Sequence, residues 1–228
     1  MPDVMILIFA GAAIAASIGG WAYRDLFSRR GRARRALRKA RKLSIAEARD
    51  GELVKLVGTL GLDGDTQVTA PLTGRPCAFF RTTVEQQQAT GPRNTSHWVT
   101  VIEESDFCPR FWIDDGSGRA LVELVLPEVV LQMDASFRSG FLNDATPELE
   151  AFLNRHSESS QGWVFNKAMR YREGALEPGE EVAVYGLCRH EPDPDPAAGG
   201  GYRERPIRRK LIEPPDGRML LSDDPKTL

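Results

Sequence analysis

Residues 77–103, CAFFRTTVEQQQATGPRNTSHWVTVIE, decide how the rest of the chain is read. The latter part of 77–86 alternates apolar and polar side chains, the period-two pattern of a half-buried strand. Residues 87–96 are polar and include Gly91 and Pro92, so they read as a long hairpin tip. Residues 97–103 form the return strand. Working outward, 53–60 (LVKLVGTL) is a β-rich run, 61–65 a turn cluster, 66–70 (TQVTA) extended, and 71–76 (PLTGRP) a second turn. Downstream, Phe111-Trp112-Ile113, the Asp/Gly/Ser turn at 114–118 and 120–125 read as strand, tight turn, strand. Thr146-Pro147-Glu148 has the form of a helix start, with Leu149, Phe152 and Leu153 on one stripe. Residues 180–188 are a strand, 191–201 a low-complexity loop, 202–212 extended again, and 214–217 a turn into 219–222. Many short strands with turns between them predict a mainly β domain: a small, partly open barrel or paired sheets with one inserted helix.

Ahead of this domain the grammar differs. Residues 4–23, from Val4 to Tyr23, carry no Asp, Glu, Lys or Arg. At about 1.5 Å per residue they span roughly 30 Å, the thickness of a bilayer core. No Lys or Arg precedes them, and the small residues at 12–16 lie inside the run, which disfavours a cleaved signal peptide. They predict a single N-terminal transmembrane helix, with Trp21 and Tyr23 at its interface. Gly11, Ala15 and Gly19 offer a small-residue face on it. Residues 24–42 then hold ten Lys/Arg against one acid, Asp25. By the positive-inside rule, everything after the span lies on the cytoplasmic side. The basic run from Arg29 to Lys42 predicts contact with anionic lipid headgroups and a helical stalk. The expected layout is an anchor over 1–23, a basic juxtamembrane helix over 24–43, the β domain over 44–223 and a tail over 224–228. Ser44 and Glu47 form a capping box that opens a short helical turn.

The 228 residues carry 30 Lys/Arg and 32 Asp/Glu, a net charge of −2. With the basic run at +9 and Asp3 at −1, residues 43–228 carry −10. An acidic domain argues against nucleic acid as its partner. The three cysteines, Cys77, Cys108 and Cys188, are too few and too scattered for a disulfide framework, which suits a reducing compartment.

The chain lacks the usual chemical signatures. Histidines stand at 97, 156 and 190, and Cys188-x-His190 is the one close Cys/His pair, too little for a zinc site. Ser157 beside His156 is adjacency in sequence and not a triad. Asp63-Gly64-Asp65 has Val68 where a calcium loop needs glycine. There is no phosphate-binding or dinucleotide fingerprint. Asn94-Thr95-Ser96 matches a glycosylation acceptor that cytoplasmic placement would leave unused. No catalytic, cofactor-binding or metal-binding residue is expected, and no cofactor.

One resemblance is carried by motifs in a fixed order. These are Asp50-Gly51-Glu52, Val57-Gly58-Thr59, Ala70-Pro71-Leu72-Thr73-Gly74 and Cys77-Ala78-Phe79-Phe80. Trp98, Phe111-Trp112-Ile113-Asp114 and Gly116-Ser117-Gly118 follow. Then come Glu177-Pro178-Gly179-Glu180, Val184-Tyr185-Gly186, the stretch 211–217 (LIEPPDG) and Leu220-Leu221-Ser222. Over about residues 45–223 this resembles the GIDE-type, or beside-a-membrane, domain of membrane-anchored E3 ubiquitin ligases and their bacterial relatives. The resemblance implies that Gly51, Gly58, Pro71, Gly74, Cys77, Trp98, Phe111, Asp114, Gly118, Gly186, Pro215 and Gly217 are scaffold positions. Those ligases transfer ubiquitin through a C-terminal RING finger. Three Cys and three His fall short of its zinc ligands. The resemblance therefore implies a single-pass, membrane-tethered interaction or sensing module with an unidentified protein partner. The alternative is a component of a ligase-like system that supplies substrate or partner binding. Cys77 and Trp98 are expected to be structural, sharing one apolar face of the hairpin sheet.

Overall fold

A computed structural model describes residues 28–64, 66–90, 95–139, 152, 155, 168–193 and 206–228. The proposed span at 4–23 lies outside them. So does the helix start at 146–148. Among the described residues no helix is long and apolar enough to cross a membrane.

The fold is mainly β and is organised around a closed five-stranded barrel, where the sequence predicts a partly open barrel or paired sheets. Its strands are β2 (Leu53–Leu62), β7 (Arg110–Asp114), β8 (Arg119–Glu123), β12 (Glu181–Pro192) and β13 (Ile207–Ile212). Around the barrel the order is β2, β7, β8, β13, β12 and back to β2. All contacts are antiparallel except β13 with β8. Alternation along each strand sends Leu56 and Leu60, Phe111 and Ile113, Val122, Val182 and Val184, Cys188 and Leu211 into one buried cluster. Closure depends on glycine at two crowded positions. A β-carbon on Gly58 would lie 2.7 Å from the Asp114 carbonyl oxygen, and one on Gly186 would lie 2.9 Å from that of Ile212. Neighbouring backbones can approach that closely only without a side chain. β12 is long enough to change partners. Residues 183–185 pair with β14 (Leu220–Ser222), and 187–192 pair with β13. β14 in turn pairs in parallel with β9 (Glu128–Val130).

A second sheet grows from the segment between β2 and β7. The long hairpin of β5 (Phe79–Thr90) and β6 (Thr95–Phe107) is extended by β11 (Met169–Leu176) and β10 (Ala135–Ser139), in the order β10, β11, β5, β6. The strands run further toward the tip than the polar composition of 87–96 predicts. Paired polar side chains explain this: the Gln87 amide donates to Ser96 Oγ at 2.6 Å across the two strands. Phe152 is fully buried against Val84, Ile102, Met169 and Tyr171 of this sheet. A two-strand ribbon, β3 (Val68–Thr69) with β4 (Pro76–Cys77), closes the turn at 70–75. Gly74 turns it with φ +70° and donates its N–H to Ala70 O.

The basic run is not a separate stalk. It forms α1 (Arg29–Lys39), capped by Ser28 Oγ accepting from Gly31 N at 3.0 Å. Arg38 and Lys39 in its last turn complement the helix dipole. Leu37 is 0 % exposed and packs with Val57 and Ala183 on the outer face of the barrel, with Tyr185, Leu220 and Leu228 beside it. Arg34 pairs with Asp224 at 2.9 Å, and Arg30 pairs with Glu103 at 2.6 Å. The helix is therefore bound to the domain at three points. After it, β1 (Lys42–Leu43) joins β2 in parallel, and a single 3-10 turn (Ile45–Glu47) starts at the expected capping box.

Candidate functional site

The twelve scaffold positions do not converge on one place. Phe111 lies at the centre of the barrel core. Asp114 accepts from Gly116 N at 2.8 Å and shapes the β7–β8 turn, in which Gly118 lies against Ile45. Neighbouring Asp115 accepts from Ile45 N at 2.7 Å, and Ser117 Oγ accepts from Ala46 N at 3.1 Å. The turn thus binds the segment that follows α1. Burial works against ionisation of Asp115, but these hydrogen bonds and those within the turn outweigh it and hold its carboxyl below the usual range. Gly51 (φ +78°) closes the bend before β2. Pro71 and Gly74 belong to the 70–75 turn, and Pro215 and Gly217 to the turn that Gly217 N closes on Pro214 O.

Cys77 and Trp98 are not on a shared face. Cys77 is buried with Ala70, Phe80 and Ala175. Trp98 pairs with Gln87 toward the hairpin tip, where the Arg170 guanidinium lies 4.5 Å above its ring. The hairpin is long enough to separate the two by many residues along the strands. Burial pushes the Cys77 thiol up to about 12, and the Cys108 and Cys188 thiols up to about 11. All three are buried and none is in a disulfide. His190 is held by Ala48 O at 2.9 Å, while Cys188 points into the core. Among the described residues no group of three or more His, Cys, Asp or Glu is placed to hold a metal ion.

Two open clefts flank the point where α1 meets the barrel, and Glu181 lines both. One, of about 630 Å³, lies between Lys42, Thr59 and Asp114. The other, of about 570 Å³, is acidic, with Asp134, Glu180, Glu181 and Asp223 facing Arg34 and the terminal Leu228. Burial raises the Asp223 carboxyl to about 6 even though it accepts from Gln132 N at 2.9 and 3.1 Å. Burial also raises Glu180, which accepts from Glu177 N at 2.9 Å. Asp134 is lowered by its hydrogen bond with Arg75. Each carboxylate is engaged by a neighbour, and among its described lining residues the cleft holds no nucleophile and base in reach of each other. It lies among the residues that follow β9 and β14, beside Leu228.

The sequence reading missed the residue that joins the second sheet to the 70–75 turn. Glu173 is 0 % exposed on β11. Its carboxylate accepts from Leu72 N (2.8 Å), Thr73 N (3.0 Å), Thr73 Oγ1 (2.5 Å) and Thr82 Oγ1 (2.9 Å). Arg75 extends the network to Asp134 and Glu177. A lone Glu among alternating residues gives no sign of this, because all four donors come from distant sequence. No family model, curated protein or solved structure matches the chain.

Proposed function

We propose that this protein is a membrane-anchored, cytoplasm-facing interaction module of the GIDE-like kind that recognises a protein partner and carries out no chemistry itself. The observation that supports it best is the docking of α1. The helix that follows the uncharged run is packed on the barrel through Leu37 and tied to the rest of the domain by Arg34 to Asp224, after β14, and by Arg30 to Glu103 of the hairpin sheet. A domain held at the exit of a span stays beside the bilayer and presents its sheets to whatever shares that membrane. Arg32 and Lys39 are exposed on α1, and basic side chains beside a span favour anionic headgroups. Alkaline extraction combined with protease protection of sealed membranes tests the placement. An integral protein whose domain is digested only after lysis is expected. An intact domain released by carbonate refutes the anchor. Crosslinking in intact membranes followed by detergent capture tests the partner, and capture of lipid alone would refute a protein ligand.

A further inference from the structure

Two of the five large apolar side chains most exposed among the described residues, Val125 (64 %) and Leu126 (57 %), are adjacent on the connection between β8 and β9. Glu213, the residue after β13, accepts the N–H of Leu126. The 124–127 tip is tightly held. Leu124 is buried and donates its N–H to Pro109 O at 2.9 Å, and Glu128 donates to Met219 O at 2.8 Å. Val125 and Leu126 are therefore presented outward on a braced turn, although the sequence reads as strand through Val125.

This tip leads directly into β9, the strand α1 packs along. Near the start of the helix, Glu103 joins Arg30 to Arg81, and Arg81 Nη1 donates to Val129 O at 3.2 Å. Val125 stands four positions before Val129, at most roughly 14 Å of chain. Tyr23, the end of the uncharged run, stands five positions before Ser28, at most roughly 18 Å of chain. With α1 fixed to the barrel, so short a connection holds the domain against the surface from which the chain emerges. The net negative charge of residues 43–228 as a whole disfavours charge-driven contact there, whereas an apolar tip has no such restriction.

We propose that Val125 and Leu126 form a wedge that inserts into the interfacial layer of the bilayer. This rests on the membrane-anchor reading given above. The attraction is apolar, so it needs no anionic lipid and persists at high salt, unlike contact through α1.

The test uses the full chain in vesicles of zwitterionic phosphatidylcholine, with a polarity-sensitive thiol dye on Leu126→Cys. Arg119→Cys, at the far end of β8, serves as the control, and the native cysteines are buried. Leu126 is exposed, so its replacement leaves the core intact. The expected result at low and high salt is a blue shift and loss of emission to nitroxide-bearing lipid at position 126, with neither at 119. No quenching at 126 on vesicle-bound chain overturns the proposal. A blue shift without lipid quenching also overturns it, since the cover is then not lipid. If the chain fails to join vesicles at all, both readings fall. If carbonate strips off a chain whose tip was quenched, the anchor fails and the wedge stands.

Discussion

Replacing Glu173 with glutamine tests whether one buried carboxylate joins the hairpin sheet to the 70–75 turn. The four donors divide evenly, with the N–H and hydroxyl of Thr73 on one oxygen and Leu72 N and Thr82 Oγ1 on the other. Thr73 Oγ1 already accepts from Arg75 Nε at 2.9 Å, which leaves its hydrogen for Glu173. The carboxylate is therefore an acceptor at both oxygens. Glutamine keeps one carbonyl oxygen and turns an NH2 group toward the other pair. The Thr82 hydroxyl can rotate and accept, but a backbone N–H cannot. One buried N–H loses its acceptor, at about 1–3 kcal/mol, and the surviving bonds lose charge assistance worth about 1 kcal/mol. We expect Glu173→Gln to cost about 3 kcal/mol. Glu173→Ala should cost about 5 kcal/mol, because both backbone donors are stranded and a void is left. Against a typical total of about 5–15 kcal/mol, either loss is large. Urea unfolding of the detergent-solubilised full chain, followed by tryptophan fluorescence, measures both. A Glu173→Gln penalty below about 1 kcal/mol, or an alanine variant no worse than glutamine, would refute the reasoning.

Leu37→Ala should cost about 2–5 kcal/mol, since Leu37 is fully buried between α1 and the barrel; a loss under about 1 kcal/mol in the same unfolding assay would mean that the helix is not docked. The Asp223 carboxyl is raised from 3.8 to about 6 by burial, so between those values the folded state holds a proton that the unfolded state has released. Its contribution is therefore favourable at low pH and is lost as pH rises from about 4 to about 6. Stability curves of wild type and Asp223→Asn should diverge over that window in favour of the variant, and parallel curves would contradict the assignment. Cys77, with its thiol pushed up to about 12, should react with a thiol reagent at pH 8 far more slowly in the folded chain than in urea; equal rates would remove it from the core.

What the sequence determined by itself was local. β-rich runs between turn signals placed the strands of the barrel, and period-two alternation placed the first strand of the hairpin, because which face of a strand is buried depends on neighbours two residues apart. The capping box at Ser44 and the turn at 114–118 were equally legible, since their hydrogen bonds lie mostly within a few residues. Strand ends were less so. Gln87 and Ser96 look like loop until the opposite strand supplies their partner. The tertiary structure decided everything that rests on distant donors and shared space. Closure of the barrel depends on the carbonyls that Gly58 and Gly186 must clear, from strands read as separate pieces. The basic run became a docked helix because Val57 and Ala183 provide a surface for Leu37. Cys77 and Trp98 parted because register, which no single strand specifies, set one beside the ribbon and the other near the tip. Glu173 became a junction only when strand pairing brought the turn at 70–75 to it. A side chain's pattern in sequence records which face it takes, while its partners are chosen by the fold.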